Sequence, residues 1–125
     1  MDADTLSFFD GHAGALPLYA CFEKKLYALF PDVRRRVQKT QITFSNRHVF
    51  CCVSFARVRR KAELPDPYLV VTLGLAYGPE SDRVAAATEP YPGRWTVHIV
   101  LGGTEDIDDG LIEWIRQAYA FANAK

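Results

Sequence analysis

The chain has no net charge, with fifteen Lys and Arg against fifteen Asp and Glu. That balance excludes a global electrostatic pull towards nucleic acid or anionic lipid. It also lacks any apolar run of membrane-spanning length, so no membrane partner is expected. The start, MDADTLSFFDGHAG, has no basic signal-like segment, and a cytoplasmic location is expected. Cysteine is scarce: Cys21, Cys51 and Cys52 form an odd set without metal-like spacing. Neighbours on a strand point to opposite faces, so Cys51 and Cys52 do not pair, and three reduced thiols are expected. His12, His48 and His98 are scattered, which gives no metal site. There is no phosphate loop, no G-x-S-x-G and no pair of carboxylates on one strand face. No catalytic residue and no cofactor are therefore assigned.

What is present suits an ordinary globular protein. Apolar residues make up 49% and charged residues 24% of 125. One domain, 1–125, can bury its own core at this length without metals or disulfides.

Periodicity supplies the elements. Residues 4–10 suit a short helical turn. Tyr19, Phe22, Leu26 and Leu29 make one apolar stripe of a helix that starts near Leu16, since Pro17 fits only the first turn. In VRRRVQKTQITFSNRHVFCCVSFARVRR, at 33–60, a two-residue turn at Asn46–Arg47 is expected, with Asn in a left-handed conformation. Phe44 then faces Val49, Ile42 faces Cys51 and Thr40 faces Val53. The other side pairs Thr43 with Phe50, Gln41 with Cys52 and Lys39 with Ser54. That register sets Arg36 against Arg57 and Arg34 against Arg59, a destabilising arrangement unless the strands splay or acids approach.

PYLVVTLGLAYG, at 67–78, reads as a central strand, and RWTVHIVLGG, at 94–103, as an alternating one. A short helix is expected near 81–88, followed by extended chain at Pro90 and Pro92. Thr104 is the expected N-cap of a last helix whose stripe runs through Ile107, Leu111, Ile115, Ala118 and Ala122. The fold class is α+β: a two-layer sandwich with a four-stranded, mainly antiparallel sheet and the N- and C-terminal helices packed on one face, in the order α-β-β-β-β-α.

Several of these pieces occur together elsewhere. VQKTQITFSNRHVFCCV, YLVVTLGL, EPYPGRWTVHIVL and EDIDDGLIEWIRQAY resemble a bacterial family known as domain of unknown function 5655, from about Phe8 to Tyr119. The matching positions include Lys39, Phe44, Phe50, Arg94, His98, Asp108, Ala118 and Tyr119. The resemblance implies a single small module and no established reaction.

The sheet face away from the helices then carries the candidate site: Lys39, Gln41, Thr43, Tyr68, Thr72, Arg94, Thr96 and His98. Convergent polar groups among aromatic anchors are the usual make-up of a ligand pocket. Arg94 can grip a carboxylate or phosphate with two prongs, and His98 points the same way. The expected function is a binding module for an anionic small molecule or a protein segment. Solvent, a covering loop or a homodimer contact through Phe50 and Tyr68 is the plainer use of such a face. The alternative is a nucleic-acid-associated module using Arg34, Arg35, Arg36, Arg57, Arg59, Arg60 and Lys61, although no stacking aromatic lies within that cluster. A further alternative is an enzyme with His98 as acid–base. Cys52 and His98 share the same expected face, which permits thiol–imidazole chemistry.

Overall fold

The computed structural model describes all 125 residues. Helix α1 spans Ala3–Phe8 and is capped by the Asp2 carboxylate, which accepts from the Thr5 amide at 2.8 Å. Helix α2 runs Leu16–Leu29 after a 3-10 turn at Ala13–Ala15, with Pro17 in its first turn as expected. Strands β1 (Arg34–Val37), β2 (Gln41–Ser45), β3 (Val49–Ser54), β4 (Leu69–Leu75), β5 (Val84–Tyr91) and β6 (Arg94–Leu101) follow, and helix α3 (Asp109–Asn123) closes the chain.

The class is α+β, but the sheet has six antiparallel strands, in the order β1-β2-β3-β4-β6-β5. The expected four strands are corrected at both edges. RRRV does not prolong β2; the chain reverses at 38–40, so Arg34 lies opposite Ser45 and Arg36 opposite Thr43. The feared Arg–Arg pairs never form. The short helix expected near 81–88 does not form; VAAATEPY is edge strand β5, which includes the extended chain expected at Pro90. Alanine's helical preference is weak and yields to pairing with β6. Pro90 is tolerated because an edge strand leaves one side unpaired. Gly93, at φ +71°, makes the return turn that non-glycine residues rarely adopt.

The central hairpin also departs from expectation. Gln41 lies opposite Ser54, Ile42 opposite Val53, Thr43 opposite Cys52 and Phe44 opposite Cys51; Ser45 lies opposite Val49. For Gln41–Phe44 the shift is two residues, so those side chains and their partners at 51–54 keep their faces, whereas Val49, expected opposite Phe44, lies opposite Ser45 on the other face and is exposed. The connection is a three-residue turn, 46–48, with no left-handed Asn; the only positive φ angles are at Gly11 and Gly93. Phe50 is the extra residue of a β-bulge, which re-aims a side chain by breaking the alternation. It is buried against Phe30 and Tyr119, at ring separations of 5.8 and 5.2 Å, and does not lie on the polar face.

The helices cover one face. Ile42, Phe44, Cys51, Val53, Val71, Leu73, Val97 and Ile99 form one buried cluster with Phe22, Leu26, Leu111 and Ile115. Phe22 meets Phe44 edge-on at 6.0 Å. The β2–β3 turn is tied to the last turn of α3. Asn46 Nδ2 donates to the Tyr119 carbonyl at 2.9 Å, and Arg47 Nη1 donates to the Asn123 carbonyl at 3.4 Å. At the other end α3 is capped by Asp108, not Thr104, which opens a separate 3-10 turn. Asp108 Oδ1 accepts from the Leu111 amide and from Arg83 Nη1 at 2.7 Å.

Candidate functional site

Pairing fixes what the open face displays. Arg36, Thr43, Cys52, Thr72, His98 and Ala86 fall in register on one row that crosses all six strands. Two rows flank it. One holds Gln41, Ser54, Val70 and Val100; the other holds Gly74, Thr96 and Thr88.

The two ends of this face differ. At the Val70 end it is covered: Val70 is 0% exposed although it points away from the helices. The connection 55–68 crosses there, with Arg59 Nη2 donating to the Asp82 carbonyl at 3.3 Å and Tyr68 Oη donating to the Phe55 carbonyl at 2.9 Å. At the Gly74 end it is open. The β3–β4 ladder stops at Cys51–Leu73, while β4 continues against β6 to Leu75. A cleft of about 330 Å³ lies there, next to the bulge at Phe50. It opens at the end of the sheet and is lined from both sides: Cys52, Thr72, Gly74, Arg94 and Thr96 from the open face, Phe50, Cys51, Leu73, Trp95, Phe121 and Lys125 from the helix side, with Tyr91 on the β5 edge. A Cβ added at Gly74 would meet no atom within 4 Å, so the glycine leaves real space.

The candidate residues separate accordingly. Thr72, Arg94 and Thr96 meet in the cleft. His98 stands behind Thr72, with Nδ1 2.8 Å from Thr72 Oγ1. Thr43 is buried on the same row, its hydroxyl directed to the Arg36 carbonyl at 3.5 Å. Lys39 is not a strand residue. It sits in the β1–β2 turn and, with Gln41, lines a groove of about 610 Å³ beside Asp10, His12 and Phe55, at the opposite end of the sheet from Arg94. Tyr68 lines a third cavity, of about 400 Å³, with His12, Arg57, Lys61 and Asp66. A single surface carrying both Lys39 and Arg94 is thus corrected: three strands separate their positions, and they occupy different ends.

The basic residues disperse too. Arg35 faces the helices and is fully engaged: Nη2 donates to Asp2 Oδ2 at 2.8 Å and Nη1 to Thr5 Oγ1 at 2.7 Å, with Tyr19 Oη at 3.3 Å and Glu23 Oε2 at 3.6 Å. Arg34 donates to the Asn46 carbonyl. Arg59 is held at the far edge by Asp82, Arg57 and Lys61 line the cavity beside His12, and Arg36 and Arg60 are exposed. No group of His, Cys, Asp and Glu side chains is placed to hold a metal ion. No helix is long and apolar enough to cross a membrane.

The electrostatics of the cleft follow from its lining. It contains no Asp or Glu side chain, and Arg94 forms no salt bridge or hydrogen bond within the chain. Burial pushes the Cys52 thiol up from its usual value, while the Thr72 hydroxyl draws it back. Burial lowers His98, which favours the neutral imidazole. Sequence reasoning missed Gly74, Tyr91, Trp95, Phe121 and Lys125. Only Gly74 left a signal, as a glycine inside a strand pattern.

No curated protein and no solved structure matches the chain. One family does, over residues 6–122, and its description is domain of unknown function. By that match the chain belongs to the DUF5655 family.

Proposed function

We propose that this domain is a binding module for a small anion with an apolar body, held in the cleft beside Gly74. The observation that carries this reading is the lining: aromatic walls from Tyr91, Trp95 and Phe121, an unpaired Arg94, and no opposing carboxylate side chain. An unpaired guanidinium beside apolar walls suits a carboxylate or phosphate on a ring or short chain. Thr72 and Thr96 add hydroxyls that orient the ligand. Lys125 lies 5.0 Å over the Phe121 ring, which places a second cation at the rim.

Calorimetric titration with benzoate, phenyl phosphate and hexanoate, each beside its neutral amide or alcohol analogue, tests the reading. At least one anion is expected to bind better than its neutral partner. Arg94→Ala should weaken that binding by about ten- to a hundredfold, the loss of a charged hydrogen bond. Gly74→Val should abolish it by filling the cleft. Binding unchanged in both variants, or no anion preference at all, overturns the reading.

A further inference from the structure

The cleft is more than a charged hollow, because its wall includes a thiol with a polar chain behind it. Cys52 lies directly opposite Thr72, and Thr72 directly opposite His98, on three adjacent strands. All three side chains share one face. Thr72 Oγ1 and His98 Nδ1 are 2.8 Å apart, and no other partner is bonded to the ring. Both Cys52 and Thr72 line the cleft; His98 stands behind them.

We propose that Cys52, Thr72 and His98 form a hydroxyl-bridged thiol–imidazole relay that makes Cys52 the acceptor for a small anionic electrophile seated by Arg94. The proposal rests on the anion-binding reading for its choice of electrophile. The relay itself rests on the strand register and on the Thr72–His98 hydrogen bond.

The Cys52 sulfur attacks a carbon of the electrophile, forming an S–C bond. The bond from that carbon to its leaving group breaks, and the leaving group departs with the electron pair. The thiol proton passes to Thr72 Oγ1 while the Thr72 proton passes to His98 Nδ1. The product is a thioether beside an imidazolium, and the imidazolium then loses its proton to water. No oxidant or reductant enters.

The relay needs a neutral imidazole, and it speeds attack where the thiol is still protonated. Burial favours both forms before the attack, since it disfavours imidazolium and thiolate alike. Thr72 cannot be a catalytic residue in its own right; it positions His98 and carries the proton. Cys51, next in sequence, points into the core and has no such neighbour. Neither Cys21 nor Cys51 lines the same polar row.

The probes are iodoacetate and iodoacetamide, which differ in charge but react by the same displacement. Labelling of Cys52 is followed by tandem mass spectrometry from pH 5.5 to 9.5. The wild-type rate is expected to rise through the imidazole range and to level off before the ordinary thiol value of about 8.5. Thr72→Val and His98→Gln should each slow labelling at neutral pH by about tenfold or more, and should restore a thiol-like profile that climbs with pH. Thr72→Ser, which keeps the hydroxyl, should recover the wild-type profile, an outcome that a merely structural role would not require. Iodoacetate should outpace iodoacetamide, and Arg94→Ala should erase that preference.

A wild-type profile identical to those of Thr72→Val and His98→Gln overturns the relay, as does labelling at Cys21 with Cys52 untouched. A relay-type profile with no preference for iodoacetate sinks the anion reading and leaves the relay standing. Anion binding by calorimetry with an inert Cys52 does the reverse.

Discussion

The two faces of the sheet put the same residue types to opposite uses. Under the helices, Arg35 is enclosed by Asp2, Thr5, Tyr19 and Glu23, and its side chain is 19% exposed. On the open side Arg94 has no partner. Cys51 is 1% exposed within the core, while its neighbour Cys52 joins a polar row. Val71 packs under the helices, and Thr72 beside it carries a hydrogen bond to His98. The difference teaches where function can reside. Groups on the covered face are consumed by one another, and only the open face leaves polar groups free.

The contrast breaks most readily at Phe50, which the bulge places under the helices. Phe50→Ala removes a buried ring from between Phe30 and Tyr119, and a loss of about 3–5 kcal/mol is expected in chemical denaturation. A loss under about 1 kcal/mol would mean that Phe50 is not core. Arg35 and Arg94 give the next largest test. Arg35→Ala strands Glu23 and Tyr19 without their cation and should cost about 2–3 kcal/mol. Arg94→Ala should change stability by no more than about 0.5 kcal/mol, because nothing in the chain depends on it. Equal losses would erase the distinction between the faces. Gly74→Val should act with the opposite sign: a strand-favouring side chain enters empty space and adds about 0.5–1 kcal/mol. Denaturation midpoints measured beside ligand titrations would then separate stability from binding, since the same substitution should close the cleft.

How much of this was written in the sequence differs by element. The two long helices and the alternation of β4 and β6 were legible, because burial against one face imposes a period. A two-residue error in the hairpin register left the faces of 41–44 and 51–54 correct, since side chains repeat every second residue; only Val49 and Phe50, at the bulge, changed face. The edge strands were not legible. RRRV carries no apolar alternation, and VAAATEPY reads as helix by composition; both are strands only because a neighbour offers a ladder. The site was half legible. Thr72, Arg94, Thr96 and His98 share a face by alternation, and the pairing of β4 with β6 brings them together. Lys39 failed because it lies beyond the strand, in a turn where alternation no longer holds. Phe50 failed because a bulge leaves no mark in a single sequence. Tyr91, Phe121 and Lys125 come from distant elements, and only the assembled fold places them at the cleft.

Acid sharpens the comparison most gently, because each face loses stability in a different pH window. On the covered side Asp2 is held down to about 2 by hydrogen bonds from Thr5 and then by Arg35. Its folded value is below its unfolded one, so its contribution is present above the ordinary carboxyl value and disappears as pH falls through about 2. On the open side burial lowers His98, so the unfolded chain takes up the proton more readily than the folded one. Its contribution is full above the ordinary imidazole value of about 6.5 and fades as the pH drops below it. Stability curves from pH 8 to pH 2 should therefore show two shallow steps. His98→Gln should flatten only the upper one, and Asp2→Asn only the lower. If His98→Gln leaves the upper region unchanged, the imidazole is as hydrated in the folded chain as in the unfolded one. The open face would then lack the partial burial that keeps His98 neutral beside Thr72.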